Sequence, residues 1–526
     1  MLDILIKNGL VIDGLNTRGV LKDVGIEGDK IVEVGDLSEV EANKVIDASG
    51  LCVAPGFIDM HTHSDEAVLL NPLMESKIRQ GVTTEVIGNC GSSAAPLMGE
   101  ALKQTDKLLS LHGFPISWKT MGEYLDLVQE RGSSTNIIAL TGHGNLRGSV
   151  MGFGMRAPTI EEMKDMKEVL ESTLKEGSWG LTTGLIYPPS SYAETREIIE
   201  LAKVVTRYDG IYATHMRNET DKLLEAVEET LNIGRESSVK VEIAHHKAAG
   251  KSNWGRVEQS LSMIEKARNS GIDVTCDQYP YIAASTGLSS RIPDWAHDGG
   301  VDKMVERLKT PETSARILDD IKQKMPDKNN YEAVLIASCP SDKSLEGLNL
   351  WQISEKQNLP PQEVIVKLLI ENDGLVDIVS FGMCEEDVKR VMKTSFIMIG
   401  SDAGAKATYG PLSEGKPHPR AYGTFPRVLG KYSREERVIS LEEAIYKMTG
   451  LPAKTLGLSR RGVINKGNYA DLVIFDANSI IDRATYVNPH QYPVGIDFVL
   501  VNGAVTIEKG EHKGVLAGKV LRSKSD

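Results

Sequence analysis

The stretch "IYATHMRNETDKLLEAVEETLNIGRESSVKVEIAHHK", residues 211–247, places two short β-rich runs, each closed by histidine, on either side of a longer helix-like run. Segments in that order form one unit of a parallel sheet covered by helices. The alternation extends in both directions. "TTEVIGN", "NIIALTGHG" and "WGLTTGLIY" precede the stretch, and "DVTCDQYPY", "VDIVSFGM" and "SFIMIGSDA" follow it, with segments such as "TIEEMKDMKEVLESTLKEG" between them. Polar residues end several of these runs, which suits an α/β fold of the (β/α)8, TIM-like barrel type with its site at the C-terminal face. A doubly wound sheet is the competing architecture, but the chain carries no Gly-rich nucleotide loop to support it.

The predicted barrel occupies residues 56–458. Residues 1–55 and 459–526 are β-rich instead, with runs such as "ILIKNGLVIDG" and "VGIDFVLVNGAVTIEKGEHKGVLAGKVL" broken by Gly, Asn and Asp. That is the pattern of small antiparallel strands. One interval, about 284–338, is longer than a βα connection needs. It reads either as a partly helical insertion acting as a lid or as an ordinary barrel helix with a decorated loop.

With 526 residues the chain is long enough for a large barrel and an attached domain. A formal charge of −13 argues against a nucleic-acid surface, which needs clustered Lys and Arg. The N-terminus "MLDILIKNGLVIDG" lacks a cationic segment followed by a long apolar core, and no apolar run reaches the roughly 20 residues of a membrane span. Five dispersed cysteines without a CxxC pair fit a reducing compartment, so a cytoplasmic protein is expected. The sequence assigns no oligomeric state.

Chemistry concentrates at the ends of the runs. In "GFIDMHTHSD", residues 56–65, His61 and His63 share one face of a strand while Thr62 faces away. Two imidazoles alone do not make a metal site, which takes three or four ligands. His215, His245 and Cys90 close three further β-rich runs, and nitrogen with sulfur is the donor combination zinc prefers. Singly, each is more often a packed core residue; together, at the same end of successive strands, they point to a metal. Of the neighbours His245 and His246 only one faces inward. Asp402, in "FIMIGSDAG", offers a carboxylate able to ligate a second metal and accept a proton, or else a loop cap.

Taken together, "GFIDMHTHSD", "GVTTEVIGNCGSSAAP", "THMRNE", "EIAHHKAAG", "DQYPYIAAST", "IGSDAG" and "HPRAYGTFPRVLG" resemble the N-acyl-D-amino-acid deacylase (D-aminoacylase) family of the amidohydrolase superfamily, over nearly the whole chain. The resemblance implies a metal-dependent barrel joined to a small β-sandwich built from both termini. It implies a tightly held Zn2+ on Cys90, His215 and His245, a second, weaker position involving His61 and His63, and Asp402 as catalytic acid and base. Relatives such as hydantoinases bridge two metals with a carboxylated lysine, whereas "WGLTTGLIY" has no Lys and Cys90 offers a thiolate. By the same resemblance Lys247, Tyr279, Ser285 and Arg420, with Tyr192 as a further candidate, grip the α-carboxylate of a small N-acyl amino acid substrate. Arg291, in "LSSRIPDWAHDGG", stands where many relatives have an apolar residue; paired with an acidic side chain it would favour N-acyl-D-glutamate or D-aspartate. The D specificity rests on the resemblance alone. Cyclic-amide opening, deamination and a non-catalytic assembly role are the alternatives on the same scaffold.

Overall fold

In the computed structural model, which describes residues 1–110 and 113–523, the alternating runs become parallel strands. These are β1 (Phe57–Asp59), β2 (Val82–Ile87), β3 (Asn136–Ala139, resumed as Thr141–Gly142), β4 (Gly180–Gly184), β5 (Ile211–His215), β6 (Lys240–Ile243), β7 (Val274–Gln278) and β8 (Ile397–Ile399). β1, β2 and the first part of β3 pair in parallel. The second part of β3 pairs with β4, and parallel pairing continues through β5, β6 and β7 to β8. Beyond the ladders, Trp179 N donates to Ala139 O at 2.9 Å and Asp402 N to His61 O at 2.8 Å, so the end of β8 reaches the end of β1. The architecture is that of an α/β protein built around parallel strands.

Every residue of β5 and of β7 is buried, as expected of parallel strands covered on both faces. The helix Ile160–Lys175 opens with a capping box between Thr159 and Glu162, which satisfies two backbone donors that would otherwise lack partners. With Thr195–Thr206, Leu223–Ser237 and Val257–Asn269 it buries one apolar face, including Leu170, Leu201, Leu231 and Ile264, against β4 to β7. No helix among the described residues is long and apolar enough to cross a membrane.

"VDIVSFGM", read as a parallel barrel strand, is different. Asp377–Phe381 pairs antiparallel with Ala283–Gly287 and with Val334–Ser338. An apolar run of this length fixes neither its partner nor its direction. The helices between these strands share a core of their own, with Leu308, Ile321, Ile336, Leu350, Ile365 and Ile378 buried together. The segment that carries Ser285 and Arg291 thus includes a buried apolar core of its own.

The two ends of the chain meet in one nine-stranded sheet. Leu472–Phe475 pairs antiparallel with Cys52–Pro55 and with Ile496–Val501. Its alternate residues face two cores: Leu472 and Ile474 pack with Ile4, Ile26 and Val53, while Val473 and Phe475 pack with Phe57 and Phe425. The strands are not all antiparallel, since Leu2–Val11 pairs in parallel with both Ala42–Asp47 and Cys52–Pro55. Local turn signals reveal hairpins but not such longer returns.

Lys77 fixes the seam between β1 and β8 beneath the strand ends. Its fully buried Nζ donates to Asp59 Oδ2 at 2.9 Å, Ser401 Oγ at 2.6 Å and Ala403 O at 2.7 Å. Lys77→Met leaves the Asp59 carboxylate buried and unpaired, so urea unfolding is expected to show a loss of about 3–5 kcal/mol. A midpoint within error of wild type would show that the ion pair does not hold the seam.

Candidate functional site

The ends of β1, β2, β5, β6 and β8 converge on one cluster of donors. Cys90 Sγ lies 3.2 Å from His61 Nε2, 3.8 Å from His215 Nδ1 and 3.6 Å from His245 Nε2. The last two nitrogens are 2.9 Å apart. His63 Nε2 is 3.0 Å from Asp402 Oδ1, and His61 Nε2 is 3.4 Å from the same oxygen. The donors form two overlapping groups, His61, His63, Cys90 and Asp402, and Cys90, His215 and His245, with atoms inside each group no more than 4.8 Å apart. Cys90 belongs to both. His246 points elsewhere, its Nε2 2.8 Å from Ser260 Oγ.

Three of these residues hold a left-handed backbone: Cys90 at φ 54°, His245 at φ 36° and Asp402 at φ 52°. For cysteine and histidine that conformation costs about 1–2 kcal/mol each, and it persists only where surrounding structure enforces it. The turn after Cys90 is forced by close approach. A Cβ on Gly91 would stand 2.6 Å from Gly184 N, and one on Gly184 would stand 2.2 Å from Cys90 O. Glycine at both positions lets the β2 loop press against β4 and aim the thiol inward.

The outward nitrogens of the imidazoles are held by carboxylates that sequence reading did not single out. Asp277 Oδ2 is 3.1 Å from His61 Nδ1, and its Oδ1 accepts from His245 N at 3.0 Å. Glu219 lies 3.0 Å from His245 Nδ1 and 3.4 Å from His215 Nε2. Carboxylates behind imidazoles fix ring orientation and tautomer, as they do around metal-binding histidines. In the sequence Glu219 is the acid four residues after His215 in "THMRNE", and Asp277 is an acid inside "DVTCDQYPY".

Electrostatics favour an anionic donor set. Burial alone would raise the Cys90 thiol, but His61 and hydrogen bonds from the imidazoles of His215, His245 and His61 hold it well below the ordinary thiol range. Burial likewise opposes charge on Asp402, yet Arg420, His245 and His61 keep its carboxyl well below the usual range. His215 is depressed by burial but carried up to about 9 by Glu219 and Cys90.

A cavity of about 590 Å³ opens over the cluster. Cys90, His63, His215, His245 and Asp402 line it, as do Lys247, Tyr279, Ser285, Arg291 and Arg420. Arg420 Nη1 lies 2.7 Å from Asp402 Oδ2, and its guanidinium stacks over the Tyr279 ring at 4.7 Å. The buried Tyr279 hydroxyl has no hydrogen-bond partner among the described residues. Lys247 Nζ donates to Glu219 Oε1 at 2.7 Å. Arg291 donates to Ser380 Oγ at 2.7 Å, while its buried Nε has no partner among the described residues. Tyr192 is not brought into this group: its hydroxyl donates to Asp294 O at 2.9 Å, and it does not line the cavity.

A model of the amidohydrolase family matches residues 44–507. A D-aminoacylase from Alcaligenes xylosoxydans xylosoxydans is 38% identical, over 99% of this chain and 97% of its own length. The chain belongs to the N-acyl-D-amino-acid deacylase family of amidohydrolases. Within the family, a solved D-aminoacylase structure superposes with a TM-score of 0.84 at 38% identity, covering 99% of this chain and 100% of that one. That protein is described by a binuclear metal centre with one-metal activation and second-metal attenuation. An N-acyl-D-glutamate deacylase from Bordetella bronchiseptica, complexed with zinc and a phosphonate that mimics the tetrahedral intermediate, superposes with a TM-score of 0.85 at 34% identity, covering 99% of each chain. The donors here suit zinc. The 3.6 and 3.8 Å separations of Cys90 Sγ from His245 and His215 approach the roughly 3.5 Å edge of a tetrahedron with zinc bonds of about 2.0–2.3 Å.

Proposed function

We propose that this deacylase hydrolyses N-acyl-D-amino acids to a carboxylate and a free D-amino acid, using zinc held by Cys90, His215 and His245. His61, His63 and Asp402 form a second, weaker position that shares Cys90. The observation that carries the reading is the convergence of a thiolate and imidazoles with Asp402 on one cavity that also holds Arg420, Lys247 and Tyr279. The parallel strands and their two seams support a (β/α)8 barrel over about residues 56–458. The nine-stranded sheet supports a β-sandwich from residues 1–55 and 459–526, and the buried core shared by Leu308, Ile321 and Ile336 supports reading the insertion at about 284–338 as a lid. The five free cysteines suit a cytoplasmic setting.

Bound at this centre, zinc supplies Lewis acidity toward the scissile carbonyl and the attacking water. Asp402 takes the proton that water releases and delivers it to the departing nitrogen, which leaves only when protonated. Arg420 binds the α-carboxylate, joined by the unpartnered Tyr279 hydroxyl, Lys247 and Ser285. The 2.7 Å contact between Arg420 and Asp402 suits this substrate in particular. The α-carboxylate and the amide nitrogen branch from one carbon, so anchoring the first on Arg420 brings the second to Asp402.

Arg291 turns the reading toward acidic side chains. Burial depresses its pKa, and no carboxylate of the protein pairs with it among the described residues. A half-buried guanidinium lining the cavity, its buried Nε without a partner among the described residues, is matched by a substrate carboxylate. Amine release from paired N-acetyl-D and N-acetyl-L glutamate and leucine, in wild type and Arg291→Leu, tests both points. Only D substrates are expected to react, and the substitution is expected to lower kcat/KM for D-glutamate about 10–100-fold while sparing D-leucine. Equal D and L rates contradict the stereochemistry, and an unchanged glutamate-to-leucine ratio removes the acidic preference.

A further inference from the structure

The cavity is also lined by a helix that the chemistry above does not use. Helix α1 (Gly99–Ser110) lines it with Ala101, Gln104, Thr105 and Leu108. Spacings of three, four and seven residues put all four on one face. Phe153, Ile186 and Val301 complete this wall. Phe153 is wedged between α2 (His143–Val150) and the start of α3 (Val301–Lys309): a Cβ on Gly148 would lie 2.5 Å from its ring, and one on Gly300 2.9 Å. Lys107 pairs with Asp302 at 2.8 Å, tying α1 to α3. The wall runs from buried Ala101, 4% exposed, to Leu108, 36% exposed, so it has a closed and an open end.

The strand order says which part of the substrate reaches it. Lys247, Tyr279 and Asp402 follow β6, β7 and β8, whereas Cys90, Gly144 and Ile186 follow β2, β3 and β4. His215 on β5 and His61 and His63 on β1 separate the two arcs at the level of the strand ends, and Val301, on the segment after β7 that also carries Arg291, closes the wall from the side of the amino-acid grip. An amide has two substituents. With the amino-acid half held on the arc of β6 to β8, the acyl half is directed to the other arc.

We infer that this mostly apolar arm, with Gln104 and Thr105 as its polar members, is an acyl-chain subsite, and that the substrates are N-acyl-D-amino acids bearing linear aliphatic acyl groups longer than acetyl. The inference rests on the deacylase reading. At 1.5 Å per residue the wall from Ala101 to Leu108 is about 10 Å long, the reach of an acyl chain of roughly eight carbons. Each methylene buried there improves binding about fourfold, and the gain ends where the chain passes Leu108 into solvent.

The test is kcat/KM for N-acetyl-, N-butyryl-, N-hexanoyl- and N-octanoyl-D-glutamate, measured as release of free glutamate. A hexanoyl-to-acetyl ratio of at least about tenfold is expected in wild type. Thr105→Trp, which fills the stripe, is expected to bring that ratio close to one, as a ratio measured on one preparation is insensitive to the folded fraction. Leu108→Ala, at the exposed end, is expected to reduce the octanoyl rate relative to hexanoyl. A wild-type ratio at or below one, with N-acetyl-D-glutamate still hydrolysed, overturns the subsite and leaves the deacylase reading intact. A ratio that Thr105→Trp and Leu108→Ala leave unchanged overturns it as well. Absence of hydrolysis across the whole series and of N-acetyl-D-leucine contradicts the deacylase reading itself.

Discussion

Asp402→Asn is expected to retain zinc and to lose about 10²–10⁴-fold in kcat, the usual contribution of a positioned general acid and base. Asparagine fills the same volume and tolerates the left-handed backbone at φ 52°, so the substitution removes proton transfer without disturbing the turn. The carboxylate is prepared for the task by its surroundings. His63 approaches one oxygen at 3.0 Å and Arg420 the other at 2.7 Å, and both favour the ionised form that accepts a proton. Turnover and bound zinc measured on the same preparation separate the roles of this residue. Turnover close to wild type excludes Asp402 as the base, while joint loss of zinc and turnover makes it first of all a ligand.

Cys90→Ala is expected to have the larger effect on the metal. Loss of a carboxylate behind a ligating histidine costs 10–100-fold in metal affinity, and loss of the thiolate shared by both donor groups is expected to exceed about 100-fold. Without Sγ, His61, His215 and His245 face one another around a void with no anion at its centre. Chelator competition reads the affinity directly, and hydrolysis of N-acetyl-D-glutamate should fall to background. Zinc held as tightly as in wild type would remove Cys90 from the centre.

The donors were legible because each closes a β-rich run, and strand ends gather at one face of a parallel sheet. The same logic found Asp402 after "FIMIG". It did not find Glu219 or Asp277, because a lone carboxylate next to a strand looks like a cap or turn until the imidazole behind which it stands is known. Tyr192 was proposed as a substrate contact, yet its hydroxyl is taken by the carbonyl of Asp294, a partner 102 residues away that no local pattern shows. Pairing direction was the other blind spot. "VDIVSFGM" has the composition of its parallel neighbours, and Leu2–Val11 gives no local sign that both of its parallel partners follow it in the chain. The left-handed backbone of Cys90 left one trace in the sequence, the glycine that follows it.

The central claim is that sulfur and imidazole nitrogen from distant strands bind one cation, and X-ray absorption at the zinc edge of the purified protein tests it most directly. One sulfur neighbour at about 2.3 Å and nitrogen or oxygen neighbours at about 2.0–2.1 Å are expected, with the sulfur contribution lost in Cys90→Ala. A wild-type coordination shell of nitrogen and oxygen alone would contradict the account.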